Sequence, residues 1–325
     1  MTIVSNHNQV NIIQIIAIVV SSFSLLGAIF IIGIFLSFKK LRVFPFIYVF
    51  WLSVSDLISS IGYLLVTDSI GDTPEQLQEA NFTCKTQALM INFGQLASIC
   101  WTAVIAWTLY NSTVKVVTNL QQKTETKMVA IAFGFPLIMS LIPLILNEYG
   151  PQGGWCWIKS DSDNKVLSFI LVGIEFYIPL WIAFVFNGIT IYRVIRYVKS
   201  ITQDKNQLKL INRLTLYPLI LLVCWSAGTV ERVFDFIGIS SEILSYLHIF
   251  FGGLQGFFNA CVYGLNSNVR KVIRENLCSS LPCFASAYIY EEQNLNEAED
   301  HQQDSKKTAS ISSGEGQVEM EQLNQ

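Results

Sequence analysis

Residues 222–236 read LVCWSAGTVERVFDF. Apolar residues dominate the stretch, yet Glu231, Arg232 and Asp235 fall within five positions of one another. Charge is costly in hydrocarbon, so an ionisable residue inside a membrane span marks function by default. Whether this stretch is such a span therefore decides both the fold and where the site lies. The chain has 325 residues, 52% of them hydrophobic and 14% charged, whereas soluble domains carry about 25% charged residues. That is too little polar surface to cover a water-soluble body of this length, and the bilayer is the natural solvent.

Seven apolar runs follow one another, at roughly 10–38, 46–67, 86–113, 128–147, 165–195, 210–237 and 244–265. Each has about 20 residues or more, enough to cross about 30 Å of hydrocarbon as a helix. Backbone in lipid must satisfy its own hydrogen bonds, so spans of this length are helices. The expected fold is an all-α bundle of seven transmembrane helices over residues 10–265, after a short segment at 1–9. The first run is too long for a signal-peptide core and no small-residue cleavage site follows it, so it reads as a retained first span.

Lysine and arginine orient the bundle. Lys39, Lys40 and Arg42 follow the first span, and Lys115, Lys123 and Lys127 the third. Arg193, Arg196, Lys199, Lys205, Lys209 and Arg213 follow the fifth, and Arg270, Lys271 and Arg274 the seventh. The opposite face carries Lys85, Lys159 and Lys165. The expectation is a multi-pass plasma-membrane protein with its amino terminus outside and its carboxyl terminus in the cytoplasm. On the outer side, NFT at 81–83 makes Asn81 a glycosylation candidate. Cys84 and Cys156 both fall on this oxidising face; a disulfide would pin the loop before the fifth span over the bundle, and two free thiols are the alternative. A second sequon at 111–113 lies on the cytoplasmic side and is expected to stay unmodified.

After the seventh span, NSNVRKVIREN (266–276) has the pattern of a short amphipathic helix resting on membrane lipid, within a juxtamembrane segment at 266–283. Cys278 and Cys283 are palmitoylation candidates, with ordinary thiols as the alternative. Residues 284–325 are polar and read as a disordered cytoplasmic tail. Thr308, Ser310, Ser312 and Ser313 there are candidate phosphosites, which points to partners of the receptor-kinase or arrestin type.

Catalytic signatures are missing: there is no HExxH, GxSxG, Walker loop or paired-Asp protease motif, so no enzyme and no cofactor is expected. The seven cysteines and three histidines lack metal-ligand spacing, and no basic patch interleaved with aromatics suggests nucleic acid. Residues 244–265 hold no lysine for a retinal Schiff base. What remains are polar residues inside spans. Asp56 sits in the middle of the second, where Ser98 of the third and Asn259 of the seventh are placed to face it. A permanently protonated, hydrogen-bonded carboxyl is the plain alternative to a working acid there. Trp225 is a candidate packing switch, and Pro179 and Pro218 are candidate kinks.

Several segments together resemble the cyclic-AMP-receptor-like group of G-protein-coupled receptors, over residues 10–280. They are GGWCWI (153–158), LKLINRLTLYPLILLVCW (208–225), GTVERVFDFI (228–237) and GFFNACVYGLNSNVRKVIRENL (256–277), with LSVSDL (52–57) and WTAVIAWTLY (101–110). The chain looks nearer the plant-type branch of that group than the slime-mould cyclic-AMP receptors. A weaker echo of rhodopsin-like receptors is present in CWSA (224–227) and NACVY (259–263), with alanine where that family has proline. The position of its DRY motif is occupied by Leu109, Tyr110 and Asn111, so that ionic lock is absent; any restraint on the sixth helix would come from packing or from polar contacts such as Tyr110, Asn111 or Asn187.

The resemblance implies a two-state bundle in which an extracellular small-molecule or peptide ligand biases the last three helices and a heterotrimeric G protein binds the cytoplasmic face. Asp56, Ser98, Trp225, Asn259 and Tyr263 would form the activation switch. Tyr110, Asn111, Arg193, Arg196, Lys209, Arg213 and Arg270 would flank the G protein, although the positive-inside rule alone accounts for the basic ones. Glu175, Glu231, Arg232, Asp235 and His248 are the candidate ligand contacts. The acids of the outer spans and first outer loop make that face net negative, which opposes a phosphate, so a ligand other than cyclic AMP is expected. The rival reading is an ion- or proton-coupled transporter or channel using Asp56, Glu175 and Glu231.

Within LVCWSAGTVERVFDF the geometry then has a direction. Glu231 lies about 9 Å along the helix from Trp225, so the three charges occupy the outer turns. Arg232 either snorkels to the interface or, pointing about 100° from Glu231, reaches Glu175 or a neighbouring helix. It matches the group's pattern, in which an asparagine usually precedes the arginine; Glu231 departs from it.

Overall fold

The computed structural model describes residues 2–42, 46–65, 81–115, 121–152, 154–159, 165–201, 216–239, 241–264 and 266–280. The chain divides into two compact units, Met1–Asn266 and Ser267–Gln325. The first contains helices α1 (Thr2–Ser37), α2 (Phe46–Leu64), α3 (Phe82–Thr113) and α4 (Gln121–Ile145), then the short strands β1 (Tyr149–Pro151) and β2 (Cys156–Ile158). The fifth apolar run forms α5 (Lys165–Val172), a π turn (Gly173–Tyr177) and α6 (Ile178–Ile201) without a gap. α7 (Leu216–Phe236), α8 (Glu242–Gly253) and α9 (Gln255–Gly264) complete the unit. The second unit is described through α10 (Ser267–Ser280), whose apolar Val269, Val272 and Ile273 recur at helical spacing among Arg270, Lys271 and Arg274. Lys209, Arg213 and Cys283 lie outside the described residues, as does the tail from 284.

Among the described residues, six stretches are long and apolar enough to cross a membrane: Ile12–Ser37, Phe46–Leu64, Phe82–Thr113, Glu125–Ile145, Val166–Ser200 and Leu216–Asp235. Their outward faces are hydrocarbon. Ile170, Ile174, Ile178 and Ile182 form an exposed stripe at every fourth position of the fifth span, a surface that suits lipid and would be a liability in water. The helices pack through small residues, as membrane helices do. At Gly94 an added Cβ would meet the backbone nitrogen of Ser59 at 2.7 Å and the carbonyl of Ser55 at 2.8 Å, so α2 and α3 approach backbone to backbone.

The seventh apolar run departs from a single helix. It breaks at Leu254, whose φ of −85° and ψ of 0° turn the chain after Gly252 and Gly253. Paired glycines are a common cause of such breaks. The π turn also has a local cause. Pro179 follows it and has no N–H for the carbonyl four residues back; the chain instead closes a wider loop, Ile178 N–H to Gly173 O. The result turns Glu175, Phe176 and Tyr177, three consecutive residues, into the bundle. Pro218 lies in the first described turn of α7, where a proline removes no bond that the described helix needs.

Candidate functional site: a buried polar relay beneath a charged cluster

The centre of the bundle holds a chain of hydrogen bonds that all run toward Asp56. Trp225 Nε1 of α7 donates to Gln255 Oε1 of α9 at 2.8 Å. Gln255 Nε2 donates to Ser98 Oγ of α3 at 2.6 Å. Ser98 Oγ donates to Asp56 Oδ1 of α2 at 2.9 Å. Asn259 Nδ2 of α9 donates to Asp56 Oδ2 at 2.7 Å. All five side chains are buried, and Ser98 uses its hydroxyl both as donor and acceptor. Buried polar groups without partners are expensive, so a fully satisfied relay fixes the mutual positions of four helices.

Four of the five expected switch residues thus meet in one network. Tyr263 does not join it: the ring packs edge-on against Phe46 at 5.8 Å, and its buried hydroxyl finds no partner among the described residues. Gln255 is the member that the sequence reading passed over, though a glutamine inside the seventh apolar run carried the same signal as Asp56. The break at Leu254 makes it the first residue of α9 and aims it inward.

One to three helical turns from Trp225 along α7 lies the charged cluster. Glu231 Oε2 is 2.5 Å from His248 Nδ1 of α8. Arg232 Nη1 donates to Asp235 Oδ2 at 3.0 Å, and its Nη2 is 3.8 Å from Glu231 Oε2. The guanidinium also lies 5.6 Å from the centre of the Trp157 ring, in cation–π range. The snorkelling reading of Arg232 is therefore corrected: the residue is 9% exposed and faces inward. Its partners are the acids of its own helix and, from the neighbouring fifth apolar run, the side chain of Tyr177; Glu175 is not among them. Glu175, 1% exposed in the π turn, makes no hydrogen bond through Oε2 and no ion pair with the cluster. Four of the five candidate ligand contacts come together, and Glu175 stands apart.

Aromatic rings connect cluster and relay. The His248 ring lies 5.8 Å from both Trp155 and Trp225, and Phe176 from the π turn packs on Trp225 at 4.4 Å and on Trp157 at 5.6 Å. Tyr177 donates its hydroxyl to Gly228 O at 3.1 Å. Above these rings the antiparallel strands β1 and β2, with Tyr149 opposite Ile158 and Pro151 opposite Cys156, form a lid. The Cys84–Cys156 disulfide fastens it to the start of α3. Cys156 N–H also donates to Gln87 Oε1 at 2.7 Å, and Trp157 Nε1 to Asn92 Oδ1 at 3.3 Å. Asn81, the sequon residue, caps α3 by accepting from Cys84 N–H at 2.8 Å.

The end of the bundle away from the hairpin carries the remaining expected contacts. Asn111 turns its amide back to Trp107 O at 2.9 Å, and Asn187 Nδ2 donates to Thr102 Oγ1 at 3.2 Å, tying α6 to α3 rather than to the sixth apolar helix. Lys115 lies 5.7 Å over the Tyr110 ring. Arg193 and Arg196 are exposed on the last turns of α6. Arg270 lies in α10, which is described by itself, and the side chain of Cys278 is outside the described set. Among the described residues no group of His, Cys, Asp and Glu is placed to hold a metal ion.

Comparison with known proteins follows the same lines. A family model described as slime mold cyclic AMP receptor matches residues 3–313. The chain is 34% identical over 277 residues to G-protein coupled receptor 1 of Arabidopsis thaliana, covering 81% of this chain and 80% of that one. It is 29% identical over 222 residues to cyclic AMP receptor 2 of Dictyostelium discoideum, covering 65% of this chain and only 54% of the relative. Squid rhodopsin superposes with a TM-score of 0.66 over 85% of this chain at 15% identity, a likeness of fold alone. The plant receptor shares more of its length and identity than the slime-mould one, in keeping with the plant-type character of the motifs. This chain belongs to the slime mold cyclic AMP receptor family of multi-pass G-protein-coupled receptors.

Proposed function

We propose that the protein senses an extracellular ligand other than cyclic AMP and activates a heterotrimeric G protein by rearranging its helices. The observation that carries this reading is the relay: one uninterrupted path of hydrogen bonds links α7 to α9, α3 and α2, with the charged cluster at its hairpin end. A ligand shifts such a bundle only through different affinity for its two states. Contacts that pull Glu231, Arg232, Asp235 or His248 move Trp225, and Trp225 cannot move without breaking the relay. Arg232 is already engaged by two carboxylates, so among the described residues the cluster offers no unpaired cation to a phosphate.

In this reading α8 and α9 together make the seventh crossing, about 34 Å of helix at the usual rise. The hairpin faces outward and the basic ends, including Arg193 and Arg196, face the cytoplasm, in accord with the excess of lysine and arginine there. Tyr110 and Asn111 border the G-protein cleft on that side, and Lys209, Arg213 and Arg270 are further G-protein contacts expected from the sequence. The test is ligand-dependent nucleotide exchange on a G protein in membranes holding the full chain, screened with amine, peptide and cyclic-nucleotide libraries. Asp56→Asn and Arg232→Ala should each reduce the response while the receptor still reaches the surface. Ion flux without nucleotide exchange would overturn the reading in favour of a transporter.

A further inference from the structure

The geometry points to a proton-binding switch at the Glu231–His248 pair, through which extracellular acid holds the hairpin ends of α7 and α8 together. Four ionisable side chains meet there: Glu231, Asp235, Arg232 and His248. Two are carboxylates and one is a guanidinium. The charges balance only when the imidazole carries its second proton. His248 Nδ1 and Glu231 Oε2 are in hydrogen-bond contact, and a second proton on the imidazole makes that bond charge-assisted. Both partners are buried, at 6% and 7% side-chain exposure. Loss of the proton leaves a buried negative charge uncompensated, which destabilises the closed arrangement. Imidazole is the side chain whose ordinary titration falls between pH 5 and 8, the range an extracellular surface meets. Asp235, 39% exposed at the end of its span, is the outermost carboxylate of the cluster and the proton's way in.

Among the described residues, the groups around His248 come from every element packed against it. From α7 come Glu231, with Arg232 and Asp235 behind it, and the ring of Trp225. From the hairpin comes Trp155, while Lys159 is turned toward Asn147 O at 3.2 Å. From the π turn comes Tyr177, bonded to Gly228 O. Residues 12–37 of α1, those whose side chains are described, contain no ionisable group, and α8 itself adds Glu242, which is exposed, and Tyr246. Gly228 shows how tightly the ring is held: a Cβ there would meet His248 Cδ2 at 2.7 Å. The ring therefore moves only if α7 and α8 part, and it touches Trp225, the first member of the relay. Acid favours the closed pair and alkali its release.

The proton site stands on this geometry alone; its extracellular placement and its signalling consequence rest on the receptor reading. The experiment uses the purified full chain in lipid nanodiscs between about pH 5.5 and 8.5. Tryptophan emission reports on Trp155 and Trp225, and hydrogen exchange on residues 225–253. Wild type should show one emission transition in this window, with faster exchange on its alkaline side after correction for intrinsic rates. His248→Gln should lose the transition. The chain has three histidines, so the double variant His7→Gln, His301→Gln should keep it. Should His248→Gln fail to fold, Glu231→Gln decides, because removing that carboxylate balances the cluster without the proton and should uncouple exchange from pH. No transition in wild type, or one that survives His248→Gln or depends on His7 and His301, overturns the proposal. In a second arm, basal nucleotide exchange in G-protein-containing membranes should vary with pH in wild type and be flat in His248→Gln. A flat wild-type profile overturns the signalling consequence. No exchange at any pH, with the emission transition intact, overturns the receptor reading and leaves the proton site standing.

Discussion

Gln255 shows how much a single side chain can hold. It accepts from Trp225 and donates to Ser98, so Gln255→Leu strands an indole N–H and removes the donor to a hydroxyl in one step. Unmade buried hydrogen bonds cost about 1–3 kcal/mol each. Thermal unfolding of the detergent-solubilised protein should register a loss of that order, and basal nucleotide exchange should change with it, since Trp225 is freed. Asp56→Asn is the subtler change. It keeps the shape but turns one acceptor into a donor, and both neighbours, Ser98 Oγ and Asn259 Nδ2, are donors toward that group. Stability should fall by less than about 3 kcal/mol, while the ligand response falls sharply; an unchanged response would detach Asp56 from the switch. Asp56, Ser98, Trp225 and Asn259 were legible in the sequence because a polar group deep in an apolar run needs a partner. Gln255 lay in the same kind of run. Its role depends on the turn at Leu254, which composition does not reveal. The pairing of Arg232 with Asp235 was hidden for a different reason: spacing says which residues share a helix face but not which way a long flexible side chain folds.

At the scale of elements, length and hydropathy were enough to place six spans to within about five residues where their ends are described, because a bilayer imposes one length and one kind of surface on every crossing. The irregular elements were less visible. A π turn before Pro179 and a break after Gly252 and Gly253 each exploit residues that occur often in inert helices, so their effect depends on what they bring to the core. The π turn brings Phe176 onto Trp225. Deleting Ile174 would restore α-helical register and turn Phe176 by about 100°, breaking that contact; the expected outcome is a lower unfolding temperature and slower hydrogen exchange lost around the hairpin. The α2–α3 contact is tested more directly. At Gly94 the atoms nearest an added Cβ are backbone, which cannot rotate away, so Gly94→Val must push the two helices apart. Overpacking of this kind costs about 1–3 kcal/mol, and reduced surface expression together with a lower unfolding temperature is the expected result.

For the whole molecule, the question is which end faces outward, and the hairpin end carries the chemistry that tests it. The Cys84–Cys156 bridge closes a separation of 72 residues and belongs in an oxidising compartment. Loops of that size contribute about 2–5 kcal/mol through the unfolded chain, so Cys84→Ser should lower the unfolding temperature and loosen the lid over the charged cluster. Asn81 offers the finer test, because it holds two roles that can be separated. Its side-chain oxygen caps α3 through Cys84 N–H, and in the proposed orientation its amide is the glycan acceptor of NFT. Thr83→Ala destroys the sequon and leaves the cap in place. Asn81→Ala removes both, at a cost of about 0.5–2 kcal/mol for the cap. Glycosidase treatment of the protein from a eukaryotic host should shift the wild-type band and leave both variants unmoved, and only Asn81→Ala should lower the unfolding temperature after deglycosylation. A wild-type band that does not shift, beside a carboxyl-terminal tag accessible from outside intact cells, would invert the bundle and place the charged cluster, and with it the proposed ligand site, on the cytoplasmic side.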